Sequence, residues 1–341
     1  MHPFMPRTVI FEPSALQYPV GEKIYRYFQD KPVEIIKTPL SVFSKTLSEL
    51  SEKQRYAKSK TVLAVTRNQQ KKLQPCKPSA DYQFALVSNC PGSCEYCYLQ
   101  TNQSYKPYLK VYVNLEEIWE TIAVHISKLQ KPIVTFEASS NGDPLAVEHI
   151  TGSVGATIEY FGKLVEGRLR IVTKFNNVNH IINKKHKGHT RFRISMNTDY
   201  VIKQFEHGTD SVQERLDAAE KLINAKYPVG FIIAPIIIYE NWKEEYRNMF
   251  KNIYEKLKTT IPDDLTFELI QHRYTESARQ RILVRFPNTR LDMSNNNRRL
   301  KWGKFGQFKY IYQKEQEEEL REYMHQMIRF YFPDSRIEYF T

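Results

Sequence analysis

Cysteine is scarce in this chain: its 341 residues include only four, at positions 76, 90, 94 and 97. So few cysteines, three of them within eight residues, exclude a disulfide framework. Long apolar runs are also missing, because the longest, residues 229–239, contains a proline and is far too short to span a membrane. Residues 1–7 lack the apolar core of a secretory signal, so we expect a reducing, cytoplasmic setting and no membrane partner.

Acidic residues are outnumbered by basic ones, 38 to 50, which gives a net charge of +12. A chain this basic commonly meets an anionic partner, most often nucleic acid, although a merely soluble basic surface is the alternative. The 22 tyrosines and 19 phenylalanines favour nucleic acid, because rings stack on bases while neighbouring cations hold phosphates. Most of these rings could equally lie in the core.

Internal repeats are absent, and the hydrophobic pattern changes near residues 80 and 277. Between these limits, apolar runs alternate with helical segments, which is the pattern of β/α units. The predicted strands are residues 82–87, 133–137, 169–174, 191–196, 229–238 and 265–271. The predicted helices are residues 115–129, 147–165, 178–185, 211–225 and 242–258. Such units predict a parallel α/β sheet that curls toward a barrel, with its chemistry at the C-terminal ends of the strands.

The flanks of this series predict two further regions. Residues 1–80 form an N-terminal α/β region, residues 81–276 the barrel, and residues 277–341 a C-terminal segment. The first region has predicted strands at 9–11 and 61–66, helices at 18–30 and 41–58, and a polar linker at 68–77. The last has a predicted strand at 305–312, a helix at 313–332 and a strand at 336–340.

Three cysteines stand directly after the first predicted barrel strand, with C-x3-C-x2-C spacing: Cys90, Cys94 and Cys97. Three thiolates on one compact loop can bind three irons of a cubane, and Gly92 lets this loop turn tightly. The fourth iron then stays open for a cofactor or substrate. A zinc site that uses Cys76 as its fourth ligand is the alternative, but Cys76 lies fourteen residues upstream of the motif. Cys76 is otherwise a spare thiol.

This spacing, with an aromatic residue before the last cysteine, resembles the signature of the radical S-adenosylmethionine superfamily. The resemblance implies a partial (β/α)6 barrel with a [4Fe-4S] cluster, whose open iron binds S-adenosylmethionine and whose electron yields a 5′-deoxyadenosyl radical. It also implies an electron donor such as a flavodoxin or ferredoxin. By their places in the strands, the implied cofactor-binding residues are Gly142, Asp143, Lys174, Ser195 and Ala234. Tyr96, within the cysteine motif, is implied to lie against the cofactor and to take part in the catalysis.

Longer stretches are similar to the spore photoproduct lyase family. They are residues 7–21, 77–84, 89–101 and 136–138, followed by Asp143 and by Glu148 and His149. The family resemblance implies repair of a thymine photoproduct in DNA: the radical removes a hydrogen from C6 of the lesion, the bond between the thymines breaks, and a cysteine returns a hydrogen. It implies that Tyr98 relays the radical back to the cofactor, and we expect a monomer.

Ser140 departs from the family pattern, because it stands where the resemblance implies the hydrogen-donating cysteine. A serine O–H bond is much stronger than a thiol S–H bond, so serine is a poor hydrogen donor. The chain is therefore expected to start the reaction and finish it badly, as an impaired variant, unless the donor lies elsewhere. We expect Cys76 not to reach this position.

A basic and aromatic segment near the C-terminus predicts contact with DNA. A lesion enzyme must extrude its target from the duplex and fill the gap, which a β-hairpin can do as a wedge, although a solvated hairpin is the alternative. The predicted DNA-binding residues are Arg273 and Tyr274 at the barrel mouth, and Arg298, Arg299, Lys301, Trp302, Lys304 and Phe305 in the hairpin. Two other functions stay open: a radical enzyme acting on RNA or protein, and a non-catalytic zinc module that binds nucleic acid.

Overall fold

The computed structural model describes residues 3–102, 106–129, 131–303 and 306–341. The strands are β1 (Thr8–Phe11), β2 (Glu34–Lys37), β3 (Val62–Thr66), β4 (Gln74–Pro75), β5 (Tyr82–Phe84), β6 (Val87–Ser88), β7 (Leu109–Tyr112), β8 (Val134–Ala138), β9 (Gly167–Thr173), β10 (Thr190–Met196), β11 (Val229–Ile236), β12 (Thr266–Gln271), β13 (Arg298–Trp302), β14 (Phe308–Tyr312) and β15 (Arg336–Phe340).

The α-helices lie between these strands and pack on their faces. They are α1 (Pro19–Gln29), α2 (Leu40–Ser48), α3 (Glu52–Ser59), α4 (Leu99–Asn102), α5 (Leu115–Ser127), α6 (Glu148–Thr151), α7 (Ser153–Phe161), α8 (Asp199–Phe205), α9 (Val212–Asn224), α10 (Trp242–Leu257), α11 (Glu276–Arg285) and α12 (Lys314–Tyr331). Short 3-10 helices occupy Pro13–Gln17, Pro144–Val147 and Asn295–Asn297.

The larger sheet has eight strands in the order β15-β12-β11-β10-β9-β8-β5-β4. All of its pairs are parallel except β4 with β5. One face buries Phe136, Ile171, Phe231 and Phe267 completely against the helices, and β9 alternates buried with half-buried residues because its other face lines the lumen. This confirms the predicted curled α/β sheet, a partial barrel that stays open between β15 and β4.

A second sheet has five strands in the order β2-β1-β3-β7-β6. It buries Val9, Leu63 and Val111 in a core of its own. The sheets cross the predicted regional limits, because β6 and β7 lie beyond residue 80 yet join the N-terminal sheet. Likewise β15 lies beyond residue 277 yet pairs with β12 of the barrel. The polar linker at 68–77 contains β4, which pairs with β5.

Several predicted elements were wrong in detail. The strand at 82–87 is two strands, β5 and β6, in different sheets. The helix at 178–185 is a series of turns, held by the Tyr227 hydroxyl, which donates to the Ile181 carbonyl at 2.7 Å. The helix at 147–165 is interrupted at Gly152, whose φ of 68° ends a right-handed helix. The helix at 41–58 is α2 and α3, because Ser51 caps a new helix.

The C-terminal segment contains the hairpin. Strands β13 and β14 pair antiparallel from Arg298 opposite Tyr312 to Trp302 opposite Phe308. The predicted helix and final strand are present as α12 and β15. Throughout the described ranges, no helix is both long and apolar enough to cross a membrane.

Candidate active site

The cysteine loop follows β6 and lies against the segment after α8. The Ser93 amide donates to the His207 carbonyl at 2.7 Å, and the Glu95 amide donates to the Phe205 carbonyl at 2.9 Å. The close approach requires glycine at position 92, because a Cβ there would lie 2.9 Å from Cγ2 of Thr209. The loop is therefore anchored by its own backbone at the edge of the barrel.

The three thiols of this loop are suited to a cluster. Burial raises the pKa of Cys90 and Cys97, and that of Cys94 to about 12, so without a metal these groups stay protonated. The backbone amides of Gly92 and Leu99 act in the opposite direction and favour the ionised sulfurs of Cys90 and Cys97. Amide donors to sulfur tune iron–sulfur centres, so these contacts fit the group.

A single metal ion fits the loop less well. In the part of the chain that the structure describes, no three His, Cys, Asp or Glu side chains are arranged to hold one ion. Ligands to three different irons of a cubane lie farther apart than ligands to one ion. The thiol of Cys76, the proposed fourth ligand of a zinc site, contacts Ser140 instead. The arrangement favours the cluster over zinc.

A charged network lies beside the loop. The Lys174 ammonium donates to the Tyr96 hydroxyl at 2.9 Å and to the Glu206 carboxylate at 2.7 Å. Arg215 donates to the other oxygen of Glu206 at 2.5 Å, and Tyr96 also hydrogen-bonds Glu206. Burial acts to raise the pKa of Glu206, but Arg215 and Lys174 outweigh it and hold that pKa at about 2. The predicted cofactor residues Tyr96 and Lys174 are thus brought together, and Glu206 orients both.

The end of β8 carries two more predicted cofactor residues. The amide of Gly142 donates to the Ser139 carbonyl at 2.8 Å, and a Cβ at Gly142 would lie 2.6 Å from the Asn89 carbonyl oxygen. The Asp143 carboxylate accepts from the Thr173 hydroxyl at 2.9 Å and from the Lys174 amide at 2.8 Å. Burial nevertheless raises the pKa of Asp143 to about 6. Asp143 therefore ties the ends of β8 and β9 together.

Ser195 and Ala234 lie on neighbouring strands of the lumen. In the β10–β11 register Ser195 pairs with Ile232, and Ala234 lies two residues farther along β11, where the β11–β12 register shifts. Ser195 is buried, Ala234 is half-buried, and the Ser195 carbonyl accepts from Arg215 at 3.0 Å. Both positions are consistent with a cofactor in the lumen.

The expectation that Cys76 does not reach Ser140 was wrong. The Cys76 thiol donates toward the Ser140 hydroxyl with 3.9 Å between sulfur and oxygen, and Ser140 donates to Gln83. The β4–β5 hairpin brings them together, because Cys76 directly follows β4 and its amide donates to the Asp81 carbonyl at 3.1 Å. Burial, with the charge of Glu137 adding to it, raises the pKa of Cys76 to about 11.

Tyr98 adjoins the last cysteine of the loop. Although 53% of Tyr98 is exposed to solvent, protein atoms crowd around its phenol group. This crowding raises its pKa, with Cys97, Glu137 and Cys76 adding to the effect. Tyr98 is therefore next to the last cysteine of the loop, where its phenol is held in the neutral form.

The predicted DNA-binding residues divide into exposed and buried ones. Lys301 is exposed and Trp302 is 62% exposed, and both lie on β13. Arg273 is half-buried, and Lys304 and Phe305 lie outside the described residues. Arg299 is ion-paired with Glu317 of α12, which holds it against the protein.

Two of the predicted DNA-binding residues, Tyr274 and Arg298, are buried in the structure. Tyr274 is buried, and its ring stacks on Tyr310 with 5.4 Å between centroids. Arg298 is buried, donates to the His272 carbonyl at 3.1 Å and lies 3.7 Å from the ring centre of Tyr312. Both attach the hairpin to the barrel, so neither is free to touch a duplex.

Sequence reasoning missed the charged residues that organise the site. Glu206 and Arg215 have no motif around them, and Glu137 and Arg193 form a buried pair at 2.5 Å within the lumen. One signal could have revealed Glu137 and Arg193, because a charged residue on a strand that is predicted to be buried needs a partner. Glu137 lies on β8 and Arg193 on β10. Lys60, which donates to two carbonyls of the cysteine loop, gave no signal.

Comparison with known proteins assigns the family. The sequence model described as Spore photoproduct lyase matches residues 4–341. The chain is 42% identical to spore photoproduct lyase of Bacillus subtilis (strain 168) over 340 residues, 100% of this chain and 99% of that protein. It is 41% identical to spore photoproduct lyase of a Geobacillus species, with 100% of each chain covered. A solved mutant spore photoproduct lyase with bound AdoMet and dinucleoside spore photoproduct matches with a TM-score of 0.94 at 40% identity, again over 100% of each chain. This chain therefore belongs to the spore photoproduct lyase family and is a DNA-repair lyase.

Proposed function

We propose that this chain reverses the spore photoproduct in DNA to two thymines by radical chemistry that starts from S-adenosylmethionine at a [4Fe-4S] cluster. The observation that carries the proposal is that the Cys76 thiol lies 3.9 Å from the hydroxyl of Ser140, the position where the family resemblance implies the hydrogen donor. The related structure of the same fold holds AdoMet and dinucleoside spore photoproduct in one chain, which supports this pairing of cofactor and substrate.

Cys90, Cys94 and Cys97 would hold the cluster, and the strand ends would hold the cofactor. When bound, the cluster and S-adenosylmethionine supply the 5′-deoxyadenosyl radical that removes a hydrogen atom from C6 of the lesion. Gly142, at the end of β8, would meet the methionine amino group, and Lys174 would meet its carboxylate. Tyr96, Ser195 and Ala234 line the rest of the cofactor. The carboxylate of Asp143 acts indirectly, because protein donors already surround it.

We propose that Cys76, rather than Ser140, returns the hydrogen atom. After the bond between the thymines breaks, the thymine radical takes the hydrogen of the Cys76 thiol, so a C–H bond forms and a thiyl radical remains. The phenol of Tyr98 then restores the S–H bond and passes the radical back toward the cofactor. On this proposal the chain is not an impaired variant, because the donor has moved to the neighbouring side chain.

The surroundings of Cys76 suit a hydrogen-atom donor. Such a donor must carry its hydrogen, and a pKa of about 11 keeps the thiol protonated at neutral pH. The nearby carboxylate of Glu137 opposes ionisation further. Ser140 accepts the S–H hydrogen bond and thereby fixes the direction of the thiol. This environment is the opposite of the electropositive one that makes a nucleophilic thiolate.

The hairpin supplies the duplex contacts in this proposal. Trp302 and Leu300 are more than half exposed near its tip, and Lys301 lies between them. An apolar wedge with an adjacent cation fits the gap that an extruded lesion leaves in the duplex. The enzyme is further proposed to act as a monomer in the cytoplasm and to take its electron from a flavodoxin or ferredoxin.

Anaerobic reconstitution with iron and sulfide tests the whole proposal. The reduced protein is given S-adenosylmethionine and a dinucleotide spore photoproduct, and the products are identified by chromatography and mass spectrometry. We expect 5′-deoxyadenosine and the repaired thymine dinucleotide, and neither from the Cys97→Ala variant. Iron uptake with cofactor cleavage but an intact lesion would point to RNA or protein as the substrate. Protein that takes up zinc and no iron would contradict the cluster.

A further inference from the structure

Lys60 connects the N-terminal sheet region to the cysteine loop. It follows the last turn of α3, and its ammonium donates to the Cys90 carbonyl at 2.8 Å and to the Gly92 carbonyl at 2.7 Å. The ammonium also lies 5.1 Å from the ring centre of Tyr56. One cation from outside the barrel thus holds two of the carbonyl groups around the first cysteine of the motif.

A second layer holds the other side of the same loop. The Gln100 carboxamide donates to the Cys94 carbonyl and to the Tyr56 hydroxyl, both at 3.0 Å. Arg285 of α11 donates to the Gln100 carbonyl at 3.1 Å and lies 4.3 Å from the ring centre of Tyr56. Tyr56, in contact with all three of these side chains, joins the Lys60 contact to this layer.

The charge of Lys60 differs from that of the other cations near the loop. Lys174 and Arg215 both share the carboxylate of Glu206, and Arg285 is paired with Glu52. Within the described ranges, no carboxylate pairs with Lys60, whose hydrogen-bond acceptors are neutral carbonyl groups. Its positive field at the loop is therefore not cancelled by a partner.

We propose that Lys60 is a positioning residue that fixes the cysteine loop and raises the reduction potential of the cluster, which makes the cluster easier to reduce. An added electron places negative charge on the cluster and its thiolates. A cation that is hydrogen-bonded to the Cys90 carbonyl and has no carboxylate partner among the described residues stabilises that charge. The inference rests on the proposed function, because it requires a cluster on Cys90, Cys94 and Cys97. It assigns the N-terminal region a part in electron acceptance.

The size of the effect follows from Coulomb's law. If the separation is taken as about 8 Å and the effective dielectric constant as about 20, removing one charge changes the ratio of reduced to oxidised cluster about thirtyfold. Solvent at the half-buried Lys60 lowers this to about tenfold, which for one electron corresponds to about 59 mV.

Three variants separate charge from anchoring. Lys60→Arg keeps both, Lys60→Gln keeps an amide donor without the charge, and Lys60→Met removes both. The matched control is Lys58→Met, which removes an exposed lysine two residues earlier on the same helix. Each protein is reconstituted, its iron and sulfide are measured, and its cluster is titrated with a redox mediator while the reduced signal is followed by electron paramagnetic resonance.

We expect Lys60→Gln and Lys60→Met to show about a tenfold lower reduced-to-oxidised ratio at a fixed potential. Lys60→Arg and Lys58→Met should match the unmodified protein. Because the signal arises only from molecules that carry a cluster, incomplete loading does not hide the potential. An unchanged potential in Lys60→Gln, or loss of all cluster from it, would overturn the tuning role. Failure of the unmodified protein to take up iron would instead refute the proposed function.

Discussion

Replacing Cys76 with serine tests which side chain completes the repair. The change exchanges one atom, and the resulting hydroxyl is as poor a hydrogen donor as that of Ser140. Loss of the donor is at least as severe as misplacing a reacting group by about 1 Å, which costs about 100-fold. We therefore expect Cys76→Ser to cleave S-adenosylmethionine while its yield of thymine per 5′-deoxyadenosine falls at least about 100-fold.

The short distance between the two side chains provides a matched rescue. Only 3.9 Å separates the Cys76 sulfur from the Ser140 oxygen. The double variant Cys76→Ser/Ser140→Cys therefore exchanges the thiol and the hydroxyl between two side chains that are in contact. We expect this double variant to recover the yield to within about tenfold of the unmodified enzyme. Ser140→Ala is the control, because it removes the hydrogen-bond acceptor of the thiol and leaves the thiol in place.

The assay follows the hydrogen atom itself. Thiol hydrogens exchange with solvent, so repair in deuterium oxide should place one deuterium in the thymine product, as read by mass spectrometry. Because the Cys76 pKa is about 11, only about one thiol in 1,000 ionises at pH 8, and the yield should not fall between pH 6 and 9. A Cys76→Ser variant with undiminished thymine yield and the same deuterium content would refute the assignment.

Three further predictions concern the hairpin, the loop contact and a buried carboxyl group. Trp302→Ala should weaken binding to lesion-bearing duplex DNA about tenfold or more in a shift assay, with dinucleotide repair unchanged, because Trp302 is 62% exposed on the hairpin. An equal loss with the dinucleotide would contradict this. Gly142→Ala should lower the free energy of unfolding by about 1–3 kcal/mol in denaturant titrations, because its Cβ would lie 2.6 Å from the Asn89 carbonyl oxygen; an unchanged midpoint would show that the contact relaxes. Burial raises the pKa of Glu148 to about 7, so the folded protein keeps a proton that the unfolded chain loses. The free energy of unfolding should therefore fall by up to about 3 kcal/mol as the pH rises from about 4.5 to 7. Glu148→Gln should flatten this pH dependence, and an unaltered dependence would exclude Glu148 as its source.

The barrel and the cluster motif were predictable because their signals are local. Strand β11 is an eight-residue apolar run, β10 alternates polar with apolar residues, and helix α10 has a regular apolar face, so each is visible without its neighbours. The cysteine spacing likewise lies within one loop. The turns at 178–185 show the limit, since Val178 and Ile181 at helical spacing are buried by contacts from other elements.

The direction of a side chain was less predictable than its element. Arg298 and Trp302 lie on the same strand of a correctly predicted hairpin, yet one is buried over Tyr312 and the other is exposed. A basic and aromatic composition is equally consistent with a DNA surface and with the cation–ring contacts that fasten a hairpin to its barrel. The sequence shows which residues are available, and the packing partner decides which of them remain at the surface.

The position of Cys76 was the most consequential failure, and its cause is geometric. Cys76 lies fourteen residues before the cysteine motif, within a polar stretch that shows no strand pattern. The strand that directly precedes Cys76, β4, has only two residues, too few for any periodic signal. Pairing of β4 with β5 returns the chain to β8, where Gln83 lies opposite Glu137 and contacts Ser140. A serine at the expected donor position is therefore weak support for an impaired enzyme, because a hairpin can present a thiol to the same place from a different part of the chain.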